Sequence, residues 1–465
     1  MTMWTPKLRE GAARYLAIAD AIERDLESGA LAEGERLPTH RDLATVLGVT
    51  VGTVSRGYAE AERRGLTVGE VGRGTFVRRR PYLDDFNRMS GREGAERGVV
   101  DMTLACPWVP PDGEEGRLLA DTLVEVARSQ PLDELMEYQS TTALPRHRVA
   151  AAKWLGRLGV EVSPDNVVVT CGSQHAMTSI LATLLDRGDT VMVAELTYPG
   201  FKAIAQMLGL KVRGVPLDGE GIIPEALDEL CSQIPAHALY CVPAIQNPTG
   251  ATMSAERRER IAEVARKHGL IILEDEIHIL LDDRALPPIQ RFAPERTIHM
   301  TTLSKWATFG LRVGFVAAPD RAVERIRSGV RSTLWMPPPL MAEIATRWIM
   351  DGTADRLAAR KTRELEARHE IVRELLGHHG VDVHKGSLHL WIRLPEPLRT
   401  DEFVHQARQR DVLITGAEAF AVGRDVPHAA RVCIAMVPHR EDFRRGISIL
   451  ADILDGASGP SPQIV

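Results

Sequence analysis

Apolar positions along the chain follow two different rhythms. In the first eighty residues they recur at helical spacing. Leu16, Ala19, Ile22 and Leu26 predict a helix over 14–28 that Gly29 can end. Leu43 and Leu47 predict a second, opened by Thr39 as a cap with Asp42 in the first turn, and ended by Gly48. Val54, Tyr58 and Ala61 predict a third, capped by Thr50. Two short helices across a glycine turn predict a helix-turn-helix, whose second helix offers its N-terminal residues to a major groove. Residues 66–68, a turn over 69–74 and 75–77 then predict a hairpin, a wing with Arg73 near its tip to meet phosphates.

Residues 79–99 carry no apolar period and read as an exposed tether, entered through the run Arg78-Arg79-Arg80. Beyond residue 100 the rhythm changes to continuous apolar runs, at 167–170, 190–194, 239–242, 270–273, 298–301 and 313–317. Amphipathic helices separate them. The helix over 254–268 is representative: Ser254 caps it, Ile261 and Val264 face inward and Gly269 ends it. Alternating runs and helices predict an α/β body with a mostly parallel sheet covered on both faces.

In such sheets ligands sit beyond the carboxyl ends of the strands, and polar clusters follow the runs there. They are Gly172-Ser173-Gln174, Tyr198-Pro199-Gly200, Gln246-Asn247-Pro248-Thr249-Gly250, Glu274-Asp275-Glu276-Ile277-His278 and Thr302-Leu303-Ser304-Lys305, with Arg312 seven residues after the lysine.

Composition narrows the class. The 465 residues are 44% hydrophobic and 26% charged, ordinary for a soluble chain of two or three domains. No apolar stretch is long enough to span a bilayer and the N-terminus lacks a signal core, so a cytoplasmic protein is expected. Five scattered cysteines without a CxxC pair argue against a disulfide framework or a zinc site. His378, His379 and His384 lack ligand spacing, and no metal is expected. Residues 1–80 hold 13 Lys+Arg against 11 Asp+Glu, a balance of +2, and the total of −6 leaves −8 for the remainder. A basic head on an acidic body fits a nucleic-acid contact at one end.

The polar edge describes its own ligand. Gly172-Ser173 at a helix start, Thr302, Ser304 and Arg312 suit a phosphate. Lys305 among cations suits a Schiff base with an aldehyde. Asp275 suits a protonated pyridine nitrogen, and Tyr198 suits a flat ring. Phosphate, aldehyde, pyridine and ring together describe pyridoxal 5′-phosphate (PLP).

The head resembles the winged helix of the GntR family through "LPTHRDLA", "LGVTVGTVSRGY" and "GRGTFV". The resemblance implies DNA contacts from Arg41, Thr50, Thr53 and Arg73. Val51 and Ser55 stand where members of the family often carry arginine. The body, through "NPTG", "ED", "SK" and "GLRVG" in order over about 100–454, resembles fold-type I aminotransferases, and the whole chain resembles the MocR subfamily of GntR regulators. That likeness implies Lys305 as the PLP lysine, Asp275 as partner of the ring nitrogen and Asn247 as donor to the phenolic oxygen. It gives the phosphate to Gly172, Ser173, Gln174, Thr302, Ser304 and Arg312, and the ring face to Tyr198. Arg431 would hold an amino-acid carboxylate, and Tyr138 would reach a partner's site in a homodimer. His278 stands where the family has tyrosine. The expected domains are a head over 1–78, a tether over 79–99 and a body over 100–465. Within the body, a large part covers about 124–336, and a smaller α+β part covers 100–123 with 337–457.

The function this implies is a PLP-dependent transcription regulator that binds operator DNA and senses an amino acid or amine by external aldimine formation. An active aminotransferase, and a regulator of vitamin B6 metabolism that senses PLP itself, are the alternatives.

Overall fold

Caps written in the sequence set the frame of the head. In the computed structural model, α1 (Arg14–Glu27), α2 (His40–Leu47) and α3 (Val51–Arg63) precede a hairpin of β1 (Thr67–Glu70) and β2 (Gly74–Val77). Thr39 Oγ1 accepts from Asp42 N at 3.3 Å and Thr50 Oγ1 from Thr53 N at 3.1 Å. Gly48 closes α2 with φ 63°, the left-handed turn that glycine adopts without a steric cost. Val54, Tyr58 and Ala61 are buried, as their spacing predicts. Gly57 was silent in the pattern, yet a Cβ there would stand 2.9 Å from Ile18, so its missing side chain lets α1 and α3 pack closely.

The structure describes residues 4–8, 13–27, 30–31, 35–64, 66–70, 74–77, 98–129, 132–139, 143–277, 286–305, 307–381, 383–423 and 425–458. The chain divides into two compact units, 1–88 with 424–426, and 89–423 with 427–465. The wing ladder runs further than the glycines suggest. Gly69 pairs with Thr75 and Glu70 with Gly74, so these residues are strand and not turn. Backbone pairing needs no side chain, which is why a pattern of side chains misplaced them. Arg73 and His278 lie outside the described residues.

In the body, β3 (Val100–Asp101) leads to a seven-stranded sheet. Its strands are β4 (Val167–Thr170), β5 (Thr190–Ala194), β6 (Lys211–Val215), β7 (Ala238–Cys241), β8 (Ile271–Asp275), β9 (Thr297–Thr302) and β10 (Gly314–Ala317). The order is β4-β10-β9-β8-β7-β5-β6. Neighbours are parallel except at β10, which runs antiparallel to both β9 and β4. Reversal of β10 puts Arg312, which precedes it, at the same edge as the residues that follow β4 and β9. Strand β6 was not expected: its Lys211 and Arg213 interrupt the apolar run at the margin of the sheet. Strand β8 extends through Glu274 and Asp275, beyond the apolar run at 270–273.

Helices α4 (Gly172–Leu184), α5 (Pro199–Leu208) and α6 (Ala255–His268) follow β4, β5 and β7 and cover the sheet. Ser254 caps α6 and Gly269 ends it at φ 72°. A second sheet is built from β11 (His389–Arg393), β13 (Thr415–Gly416) and β14 (Ala429–Cys433) in the order β11-β14-β13, while β12 (Val412–Leu413) pairs parallel with β3. All five cysteines are free. Among the described residues no helix is long and apolar enough to cross a membrane.

Candidate cofactor and effector site

The phosphate end is built from three loops. Helix α4 starts at Gly172 without a side-chain cap, so the N–H groups of its first turn, including those of Ser173 and Gln174, have no side-chain acceptor from the cap position. Gly172 takes φ 78°, and a Cβ there would lie 2.7 Å from Arg312 Nη2. Arg312 is itself left-handed at φ 51°, a conformation costing a residue with a Cβ about 1–2 kcal/mol. Its guanidinium sits 4.8 Å over the Phe309 ring and donates to Ser304 Oγ at 3.4 Å. Thr302 Oγ1 accepts from Ser304 N at 3.1 Å and donates to Val313 O at 2.9 Å, fixing the turn that carries Lys305. Gln174 Oε1 is buried and has no partner among the described residues. A Gly172→Ala variant is expected to bind PLP about tenfold more weakly or worse, a loss of at least ~1.4 kcal/mol, because the methyl displaces Arg312. Titration of the cofactor-free protein with PLP measures this.

The ring end is set by β7, β8 and their loops. Asp275 closes β8 and is 2% exposed. Its Oδ2 accepts from Tyr240 Oη at 2.9 Å, while Oδ1 is buried with no partner among the described residues. Burial pushes this carboxyl up to about 6, against the Tyr240 hydrogen bond and the charges of His299 and Lys305. An orphaned acidic oxygen at this depth fits a protonated ring nitrogen. Asn247 lies in the turn after β7 and its Oδ1 accepts from Arg431 at 2.9 Å. Tyr198 precedes α5 and folds back so closely that a Cβ on Gly200 would meet its ring at 2.5 Å. Burial, then the nearby Asp275, raises its hydroxyl to about 12.

Asp275 also shapes the stability of the cofactor-free chain. Unfolded, this carboxyl titrates near 3.8, and folded near 6. The folded chain therefore binds more protons in that window, and stability falls as pH rises from about 4 to 6. The difference of about 2 units corresponds to ~3 kcal/mol. Asp275→Asn is expected to remove this slope. Denaturant unfolding without cofactor should then find the variant more stable than the parent at pH 8 and about equal at pH 4, even though it holds PLP less well.

Lys305 follows β9 and donates to the carbonyl of Ala105. Burial lowers its amine below the ordinary lysine value, with Arg431 and Arg312 contributing. Arg431, in the middle of β14, is 1% exposed. It donates to Asn247 and, at 2.5 Å, to Thr103 O, and lies 4.7 Å over the Phe420 ring. Among the described residues no carboxylate pairs with it, and its Nε has no partner. Tyr138 is 81% exposed and meets Trp335 edge-on at 5.6 Å. In the head, Arg41 and Thr50 are exposed and Thr53 is half-buried.

Several contributors escaped the pattern reading. Tyr240 is one polar group inside a buried apolar strand; it pairs in register with Leu273, two residues before Asp275, so both side chains share a face. That register was the missing signal. The carbonyls of Thr103 and Ala105 carry no side-chain signature at all.

Residues 111–445 match the family described as Aminotransferase class I and II, and residues 14–77 match Bacterial regulatory proteins, gntR family. The HTH-type transcriptional regulator YdeF of Bacillus subtilis, itself uncharacterized, is 29% identical over 455 residues, 97% of each chain. The HTH-type pyridoxine biosynthesis transcriptional regulator PdxR of Corynebacterium glutamicum is 26% identical over 448 residues, 95% of each chain. In fold, the body is like the crystal structure of Pyrococcus horikoshii kynurenine aminotransferase, with a TM-score of 0.73 at 24% identity, covering 83% of this chain and 96% of that one. The aminotransferase class I and II fold family is PLP-dependent, and a GntR-type head implies DNA binding. The chain belongs to the aminotransferase class I and II family over its body and to the GntR family over its head, the two-part composition of the MocR regulators.

Proposed function

We propose that this chain is a PLP-dependent transcription regulator whose body captures an amino acid or related amine and thereby changes the affinity of its head for operator DNA. The carrying observation is Arg431, a buried guanidinium without a carboxylate partner among the described residues, hydrogen-bonded to the same Asn247 that the family likeness assigns to the cofactor. An unpaired buried charge is costly, and a ligand carboxylate would neutralise it. PLP, when bound, supplies an aldehyde that reacts reversibly with primary amines. Lys305 would hold that group; Asp275, Asn247 and Tyr198 would orient its ring; Gly172, Ser173, Gln174, Thr302, Ser304 and Arg312 would hold its phosphate. His278, by the family likeness alone, would stand near the phenolic oxygen.

Output to DNA is supported by chain connectivity. Lys305 and Arg431 donate to Ala105 and Thr103, carbonyls on one short segment. That segment follows β3 and the tether from the head. A ligand that competes for either cation alters what holds this segment, and it shifts DNA affinity only by its differential affinity for the two arrangements. Arg41, Thr50, Thr53 and Arg73 are the proposed DNA contacts, and the cytoplasm the place of action. The exposed apolar groups Met136 (82%), Tyr138 (81%) and Trp335 (55%) favour a homodimer, the form in which such heads read repeated half-sites. Sedimentation equilibrium tests it.

A DNA duplex selected from a random pool by the full protein provides the main assay. Its affinity is measured for the cofactor-free protein, with PLP, and with PLP plus each common amino acid. A change on adding one amino acid is expected, and no change with any amine sinks the sensing function. Similarity to PdxR along the full chain favours a second reading, control of vitamin B6 supply, in which PLP alone shifts DNA affinity. Steady turnover of an amino donor and a keto acid would instead assign the body to catalysis.

A further inference from the structure

Asp275 closes β8; strand alternation turns Glu274, before it, to the other face of the sheet, and Glu276, just past the strand, brings a carboxylate oxygen within 4.8 Å of that of Glu274. There, among groups that are all fully buried, Glu276 Oε1 receives Arg258 Nη1 at 2.7 Å, and Glu274 Oε2 receives His299 Nδ1 at 3.1 Å. Glu274 also accepts from Ile289 N at 2.5 Å and Gln290 N at 3.0 Å. Arg258 reaches further. Its Nε donates to Met253 O at 3.2 Å, Nη2 to Pro243 O at 3.4 Å and Nη1 to Pro287 O at 3.3 Å. Pro243 and Met253 are the two ends of the turn that carries Asn247, joined by Met253 N to Pro243 O at 2.8 Å.

One guanidinium thus ties both ends of the Asn247 turn to the residue next to Asp275. Apolar side chains of the same volume would serve stability as well as a buried ion pair does, and often better. What such a fork adds is fixed geometry, because a planar guanidinium holds several acceptors at set angles. We propose that Arg258, paired with Glu276, is a positioning residue that sets the separation of Asn247 and Asp275, and hence the grip on two sides of the PLP ring. This rests on the reading of the site as a PLP site; neither Arg258 nor Glu276 is assigned a contact with the cofactor.

The test replaces the pair together, Arg258→Met with Glu276→Met, which removes the clamp without stranding a charge. Three quantities are measured on the full chain: thermal unfolding without cofactor, affinity for PLP, and the pH midpoint of the visible absorption of the bound cofactor. The expected result is a folded protein of near-parental stability that binds PLP about tenfold more weakly, with the pH midpoint moved by about one unit. Arg258→Lys, which keeps the charge but not the fork, provides a second variant if the double replacement unfolds; a shift of the midpoint in the same direction is expected. A folded variant of either kind with parental affinity and midpoint overturns the proposal. Absence of cofactor absorption in the unmodified protein overturns the PLP reading itself, and is recognised without any variant.

Discussion

Lys305→Ala protein incubated with PLP and then dialysed is expected to lose the visible absorption that the parent retains, and borohydride should no longer fix the cofactor to the chain. Reductive trapping followed by peptide mass analysis reads this directly. The expectation follows from position. Lys305 is presented by a turn that Thr302 and Ser304 pin to β9 and to Val313, and its amine is shifted toward the neutral, nucleophilic form by burial. Noncovalent binding through Arg312 and the α4 N-terminus should persist at lower affinity, since those groups do not depend on the lysine. Response of DNA affinity to amines should vanish with the linkage. Survival of a reducible linkage in Lys305→Ala would place the covalent chemistry on another side chain.

The second large effect is expected at Arg431. Replacing it with leucine should leave the PLP absorption in place while weakening amino-acid binding by ~3 kcal/mol, about a hundredfold, the scale for breaking a buried charge pair. Spectral titration should be run in parallel with an amino acid and with its decarboxylated amine. In the parent the amino acid binds better; in Arg431→Leu the two should become nearly equal. Arg431→Lys should recover only part of the difference, because a single ammonium cannot replace a fork that now reaches both Asn247 and Thr103. Equal loss for both ligands would mean that Arg431 supports the fold of the pocket and does not read a carboxylate.

Both variants also separate sensing from catalysis. Loss of a DNA response without loss of folding, in a protein that shows no turnover, is the pattern expected of a regulator.

Much of this site was legible before any coordinates. Caps at Thr39, Thr50 and Ser254 hold because a hydroxyl one residue before a helix satisfies an N–H that nothing else can reach. Strands β4 and β5 match their apolar runs residue for residue because both are buried along their whole length. Order along the chain was enough to align Gly172, Asn247, Asp275 and Lys305 at one edge, since parallel strands deliver whatever follows them to the same side, while Arg312 joins them through the reversal of β10.

Misplacements came where backbone, and not side chain, decides. Glu274 and Asp275 were expected just past the apolar run of their strand and lie within β8, because pairing with β9 continues past the last apolar residue. Gly69 with Thr75, and Glu70 with Gly74, pair in the wing for the same reason. Local sequence thus determined the main helices and central strands, their caps and which polar residues follow the strands at the sheet edge, all of which depend on residues close in the chain. Tertiary structure alone decided who supports that chemistry: Tyr240 under Asp275, the carbonyls of Thr103 and Ala105 against Arg431 and Lys305, and Arg258 beneath two loops. These are contacts between segments up to 328 residues apart, and strand register and packing, which no local pattern encodes, bring them together.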